Sequence, residues 1–174
     1  AIAEALDVPA GSDGVFFLPF LSGERSPFWN DQLRGSFHGL SLAHSRAHLL
    51  RAVMEGVGLS LAYMIQIFKE LGVSIHEIAL AGGGTKTPGW PQMIADICQV
   101  PVCVYTGQET VTHALFAYAC LAAKDDRSFE QALLDTFDEP DWLHPDPKTT
   151  SIYQNLFSRY KIQAEFNQEL FKNH

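Results

Sequence analysis

Positive charge is scarce in this sequence: twelve Lys and Arg stand against twenty Asp and Glu, a formal net charge of −8. A surface for nucleic acid or an anionic membrane needs a basic face, so this balance speaks against both partners. Cysteine is sparse too. Cys98, Cys103 and Cys120 are odd in number and lack CxxC spacing. They fit a reducing cytosol better than a disulfide framework or a zinc site. No uninterrupted apolar run approaches the ~18–20 residues of a membrane span. Internal repeats, low-complexity tracts, an initiator Met and a basic leader are all missing. What remains is substantial: 174 residues, 47% hydrophobic and only 18% charged, enough for one well-filled domain. The expectation is a cytoplasmic piece of a longer chain.

Periodicity supplies the elements. Residues 1–8 read as a helix tail stopped by Pro9 and Gly11, and 14–21 as a buried extended segment kept from a central ladder by Pro19. A loop over 22–34 precedes a short strand in 35–42. Leu50, Val53, Val57, Leu61, Met64, Phe68 and Leu71 recur at threes and fours, one stripe of a long helix. It starts at His44 or Ser45 and ends at Gly72, with Leu61 expected mid-stripe against the sheet. Strands at 76–81 and 101–105 alternate with helices at 89–99 and 110–123. A short helix near 128–136, a Pro/Asp loop at 139–148 and a helix from about 150 to 171 follow. This order predicts an α/β domain with a partly parallel sheet. Three or four strands fall short of the usual ~5, so the sheet reads as lacking its first strands.

The segment LAGGGTKTPGW, 80–90, is the most informative chemically. A strand running into consecutive glycines and then a helix lets backbone N–H groups approach a phosphate, with the helix N-terminus adding partial positive charge. Thr85 before Lys86 breaks the P-loop pattern, and Thr87 stands where G-x-G-x-x-G needs its third glycine. Local pattern alone leaves nucleotide binding and close helix–strand packing evenly matched. In the loop SGERSPFWND, Glu24, Arg25 and Asp31 flank Phe28 and Trp29. Composition favours a surface Glu–Arg pair with Trp29 capping a core edge over a cleft lining. The seven histidines form no ligand spacing, and His38 and His113 read as packing residues. Glu55, Asp96 and Glu109 are single carboxylates without a paired acid–base spacing, and no Ser–His–Asp or Cys–His set is legible.

Three ordered blocks nevertheless resemble the FGGY family of carbohydrate kinases. GSFHGLSLAHSRAHLLRAVME, 35–55, is similar to the family's second signature through Gly35, Phe37, Gly39, Leu40, His48, Leu49, Ala52, Val53, Met54 and Glu55. FLPFLSGERSPFWNDQLRG, 17–35, resembles its GER loop, and AGGGTKTPGWPQMIADICQVPV, 81–102, its nucleotide segment. Within the family the GER loop and GGGTK turn are most similar to xylulokinases.

The resemblance implies the C-terminal domain of a two-domain, actin-like, ribonuclease-H-like ATPase, spanning 1–174 and lacking its first strands. It implies ATP with Mg²⁺, transferring the γ-phosphate to a sugar hydroxyl in a cleft shared with the chain's own N-terminal domain. A D-xylulose-like ketose is the first choice of substrate; gluconate or another sugar acid or ketose is the alternative. Gly82, Gly83 and Gly84 would lie against the nucleotide and Thr87 would reach the adenine, while Trp90 would pack. Ala117 and Tyr118 depart from the family's small-residue helix. The general-base Asp belongs to the other domain, so no residue here is assigned to catalysis and no metal ligand is named. Half a cleft should be inactive, and its open strand edge implies a homodimer or a partner chain. A non-catalytic actin-like nucleotide-binding module is the rival from another class.

Overall fold

A computed structural model describes residues 1–105, 110–123 and 126–171. The elements are α1 (Ile2–Leu6), β1 (Phe16–Leu18), β2 (Ser36–His38), α2 (Arg46–Glu70), β3 (Ile78–Ala81) and α3 (Trp90–Cys98). They continue with β4 (Val102–Tyr105), α4 (Thr110–Ala122), α5 (Phe129–Leu134), β5 (Asp141–Leu143) and α6 (Thr150–Leu170). Of the carboxylates singled out from sequence, Glu109 lies outside the described residues.

The strands divide into two sheets instead of one. β1 pairs antiparallel with β2, Phe17 opposite Phe37, and Pro19 closes β1 where the next ladder donor would be needed. β3 and β4 are parallel, with Leu80 opposite Val104. Sequence reading misses β5, which lies in the expected Pro/Asp loop and pairs antiparallel with β4, Trp142 opposite Cys103. Three residues between Pro140 and Pro145 are too few to show a period. Among the described residues β3 pairs with β4 alone.

α2 is the element on which the rest is assembled: α1, β1, α3 and α6 all pack on it. Ser45 caps its start, its N–H donating to Nδ1 of His48 at 3.2 Å, so a histidine fills the usual Glu or Gln position of a capping box. At the other end Gly72 takes φ +82°, and Val73 N–H returns to the Phe68 carbonyl at 2.8 Å. The buried face is not the predicted stripe. It consists of Arg51, Ala52, Glu55, Gly56, Gly58 and Leu59, whereas Val53, Val57, Phe68 and Leu71 are exposed and Leu61 is half-buried. Small residues explain the inversion. A Cβ on Gly56 would sit 2.4 Å from the Phe17 carbonyl oxygen, so only glycine lets β1 approach this closely. α2 is also long and apolar enough to cross a membrane by length and composition, yet it carries the buried Arg51–Glu55 pair and forms the fold's central contact.

One core joins Phe16, Leu18, Leu59, Ile97, Tyr153 and Tyr160, with α6 laid across it. A second fills the space between α3 and the β3–β4 pair. α4 and α5 pack on each other through Ala117, Cys120 and Ala132. Tyr118 is exposed and its ring meets Phe129 at 4.8 Å, so both departures from the family's helix belong to this contact.

Candidate functional site

β3 delivers the chain into the glycine turn. Gly82 adopts φ +85° and ψ −164°, a conformation closed to residues with a side chain. Gly83–Lys86 then form a 3-10 turn, with Thr85 N–H and Oγ1 both donating to the Gly82 carbonyl, at 3.2 and 2.7 Å. Thr87 N–H donates to Gly84 O at 3.1 Å, and Trp90 N–H to Thr87 O at 3.2 Å. Residues 82–90 are thus one continuous, internally bonded turn. The helix expected over 89–99 is α3, and the 3-10 turn and Thr87–Gly89 separate its N-terminus from the glycines.

The three glycines differ in what surrounds them. A Cβ on Gly84 would meet the Trp90 ring at 2.7 Å, so this glycine serves packing. Trp90 itself is tied down by its Nε1–H, which donates to Met54 O at 3.1 Å. At Gly82 and Gly83 a Cβ would meet nothing within 4 Å. Packing against the described residues therefore demands no glycine at 83, and the backbone there faces open space.

The turn is a ridge between two clefts. On one side an apolar groove of about 410 Å³ runs over Val57, Leu61, Met64, Leu80, Gly84 and Ile94. The half-exposed stripe of α2 is its wall. On the other side Thr87 shares a cavity of about 530 Å³ with Gly89, Gln92, Val104 and Trp142. Sequence reasoning missed two residues here. Thr85, buried, holds the turn's geometry; Trp142 arrives on the unpredicted β5. A hydroxyl two residues after Gly83 was the available signal for the first.

The remaining candidates resolve into structural roles. Asp96 is buried at 8% exposure and accepts from Gln92 Nε2 and Asp146 N–H, both at 2.8 Å, fastening α3 to the segment before α6. Glu55, wholly buried, accepts from Gly11 N–H at 2.8 Å, Ser12 Oγ at 2.9 Å, Arg51 Nε at 2.8 Å and Tyr153 Oη at 3.0 Å. Burial, and then the Glu55 carboxylate, raise the Tyr153 phenol well above its ordinary pKa, so it stays a donor. His38 stacks on Phe16 with centroids 5.2 Å apart, and desolvation lowers its pKa. His113 stacks on Phe137 at 4.5 Å. Burial pushes the Cys98 thiol up to about 12, which leaves it protonated and inert.

The second loop departs from its expected structural role. Glu24 does not pair with Arg25; its carboxylate accepts from Phe28 N–H at 3.1 Å, and Arg25 has no ion pair among the described residues. Phe28, rather than Trp29, turns inward onto Phe20 and Tyr63, with centroids 5.8 and 5.5 Å away. Trp29 is 81% exposed at φ +50°.

The chain resembles known proteins over most of its length. The model of the FGGY family of carbohydrate kinases, C-terminal domain, matches residues 1–123. A xylulose kinase of Bacillus subtilis (strain 168) is 34% identical over 88% of this chain and 31% of its own length. One from Escherichia coli (strain K12) is 37% identical over 88% of this chain and 32% of its length. The crystal structure of a gluconate kinase from Lactobacillus acidophilus superposes with a TM-score of 0.84 at 29% identity, covering 98% of this chain and 35% of that one. The chain spans about a third of the length of the curated relatives it matches.

Proposed function

We propose, since this chain belongs to the FGGY family of carbohydrate kinases and has their actin-like ATPase fold, that it is the nucleotide-binding half of an ATP-dependent sugar kinase. The observation that carries this reading is Gly83, a glycine in open space on a turn that Thr85 holds rigid. Backbone N–H groups there are free to meet phosphate oxygens without a side chain between them. Gly82 supplies the bend, Gly84 the seat for Trp90, and Thr87 a hydroxyl toward the base of the nucleotide. The general base and most contacts to the acceptor sugar belong to a second domain of the whole protein, which closes over this one. Phosphoryl transfer is dominated by positioning and charge stabilisation, so both halves are required.

Mg²⁺ enters with ATP. Among the described residues no three His, Cys, Asp or Glu side chains converge on one point. A ketose resembling D-xylulose is the first choice of acceptor, from the two xylulose kinases that resemble the chain. A sugar acid is the second, since a gluconate kinase is among the structures the chain resembles. A cytoplasmic location and a homodimer complete the reading.

The test is Gly83→Val in the whole enzyme, followed by calorimetric titration with ATP. The backbone at 83 needs no positive φ and a Cβ there meets nothing within 4 Å, so the fold should survive. ATP affinity should fall at least tenfold, ~1.4 kcal/mol. Unchanged affinity would sink the reading of this turn as a nucleotide contact, whereas ATP turnover indifferent to every sugar would favour the non-catalytic nucleotide-binding module.

A further inference from the structure

The loop between β1 and β2 holds an indole out into solvent on a backbone conformation that disfavours it. Positive φ is uncommon for any residue with a side chain and an outlier for a bulky one, and exposing an indole forgoes its burial. Trp29 does both, at φ +50° and 81% exposure. The loop is built to keep it there. Glu24 N–H donates to Asn30 O at 2.9 Å, and Asn30 N–H to Glu24 O at 2.8 Å. Gly23, at φ +80°, lies so close to Asp31 that a Cβ would sit 2.4 Å from its Cα. Phe28, the residue before it, has already taken the place in the core. Strain concentrated where packing needs none points to a ligand.

The surroundings say which kind. Ser22, Glu24, Arg25, Trp29, Asn30 and Asp31 line a cavity of about 640 Å³. Two carboxylates face one guanidinium in the lining, and a second guanidinium, that of Arg34, donates to Asp31 O at 3.0 Å. The cavity thus carries no excess positive charge to draw a phosphate or a carboxylate. A flat aromatic face beside an alternating set of donors and acceptors suits a neutral polyol: the C–H face stacks on the indole while paired hydroxyls bond to the rim. We infer that this loop is a binding site for a neutral polyhydroxylated ligand, a sugar or sugar alcohol, stacked on Trp29 and held by Arg25 and Asp31. Only the choice of sugar rests on the kinase reading; the site itself stands on the loop.

The experiment follows the three indole Nε1–H resonances of the full 174-residue chain by NMR, with Trp29 assigned from Trp29→Phe. D-xylulose, xylitol, gluconate and inorganic phosphate are titrated at matched ionic strength. The Trp29 peak should shift saturably with the two neutral ligands, with a midpoint on the order of millimolar, while Trp90 and Trp142 stay still. Trp29→Gly should keep or raise the unfolding midpoint, because glycine relieves the positive φ, and should abolish saturation-transfer signals from xylitol. The inference is overturned by a motionless Trp29 peak, by a response to phosphate or gluconate alone, by equal movement of all three indoles, or by sugar signals that survive in Trp29→Gly. ATP, added last, reports on the amides of Gly82–Gly84. A failure there with an intact sugar response, or the reverse, separates the two readings.

Discussion

Glu55 and Arg51 show how a single side chain is held in this molecule. The carboxylate is wholly buried, yet every donor around it is aimed at an oxygen: the Gly11 amide, the Ser12 hydroxyl, the Tyr153 phenol and the Arg51 guanidinium. Arg51 in turn donates to Val8 O at 2.7 Å, so the pair links α2 to the turn after α1 and to α6. A buried pair gains little over an apolar one, but removing one member strands the other. Glu55→Ala should therefore cost about 3–5 kcal/mol in urea unfolding, and Arg51→Met together with Glu55→Leu should recover part of it. A loss below ~0.5 kcal/mol for the single change, the range of exposed positions, would mean that water reaches the site. Sequence offered Glu55 only as a lone carboxylate and as part of a signature; its donors come from residues as distant as 11 and 153 and have no local trace.

At the scale of an element, α2 is governed by its small residues. Its helical period, its capping serine and its terminal glycine are all legible along the chain, because they depend on neighbours three or four residues away. Its buried face is not. Large apolar side chains mark a stripe, but Ala52, Gly56 and Gly58 admit β1 and α3 to closer contact than any large residue would. A Cβ on Gly58 would fall 2.7 Å from Ile97 Cδ1. Gly56→Ala should consequently destabilise by about 1–3 kcal/mol through overpacking, although alanine is the better helix former. On the same helix Leu59→Ala should cost about 2–5 kcal/mol, and Leu61→Ala distinctly less, since Leu61 is only half-buried on the groove wall. Equal losses at 59 and 61, measured by chemical denaturation, would show that the stripe is core after all.

The whole molecule is a set of layers around α2 that ends in an open groove and an unshared strand edge. Among the described residues β3 has β4 on one side and no strand on the other, and the groove beside it is walled by Val57, Leu61 and Leu80. Both features predict association, through the open edge and through exposed apolar area. At tens of micromolar the chain should elute above its monomer mass of 19.3 kDa in size-exclusion chromatography. In a coupled ADP-release assay it should show no sugar-dependent turnover with any ketose or aldonate. Orientation of the reactants supplies much of the catalysis, and one face of a cleft cannot orient two of them. Turnover that persists against a Gly83→Val control, which exposes contaminating host kinases, would overturn the two-domain reading.

Element order, the ends of α2, the glycine turn and the family are all legible without coordinates, because each depends on residue identity at short range or on motifs with fixed spacing. Tertiary structure alone decides the rest. It splits the strands into two sheets and recruits β5, a strand too short to carry a pattern. It buries the glycine face of α2 in place of the leucine face, since close approach is a property of two surfaces together. It also sends Phe28 inward and leaves Trp29 outside: two adjacent aromatics compete for one place in the core, and only the partners across the fold, Phe20 and Tyr63, determine which of them fits.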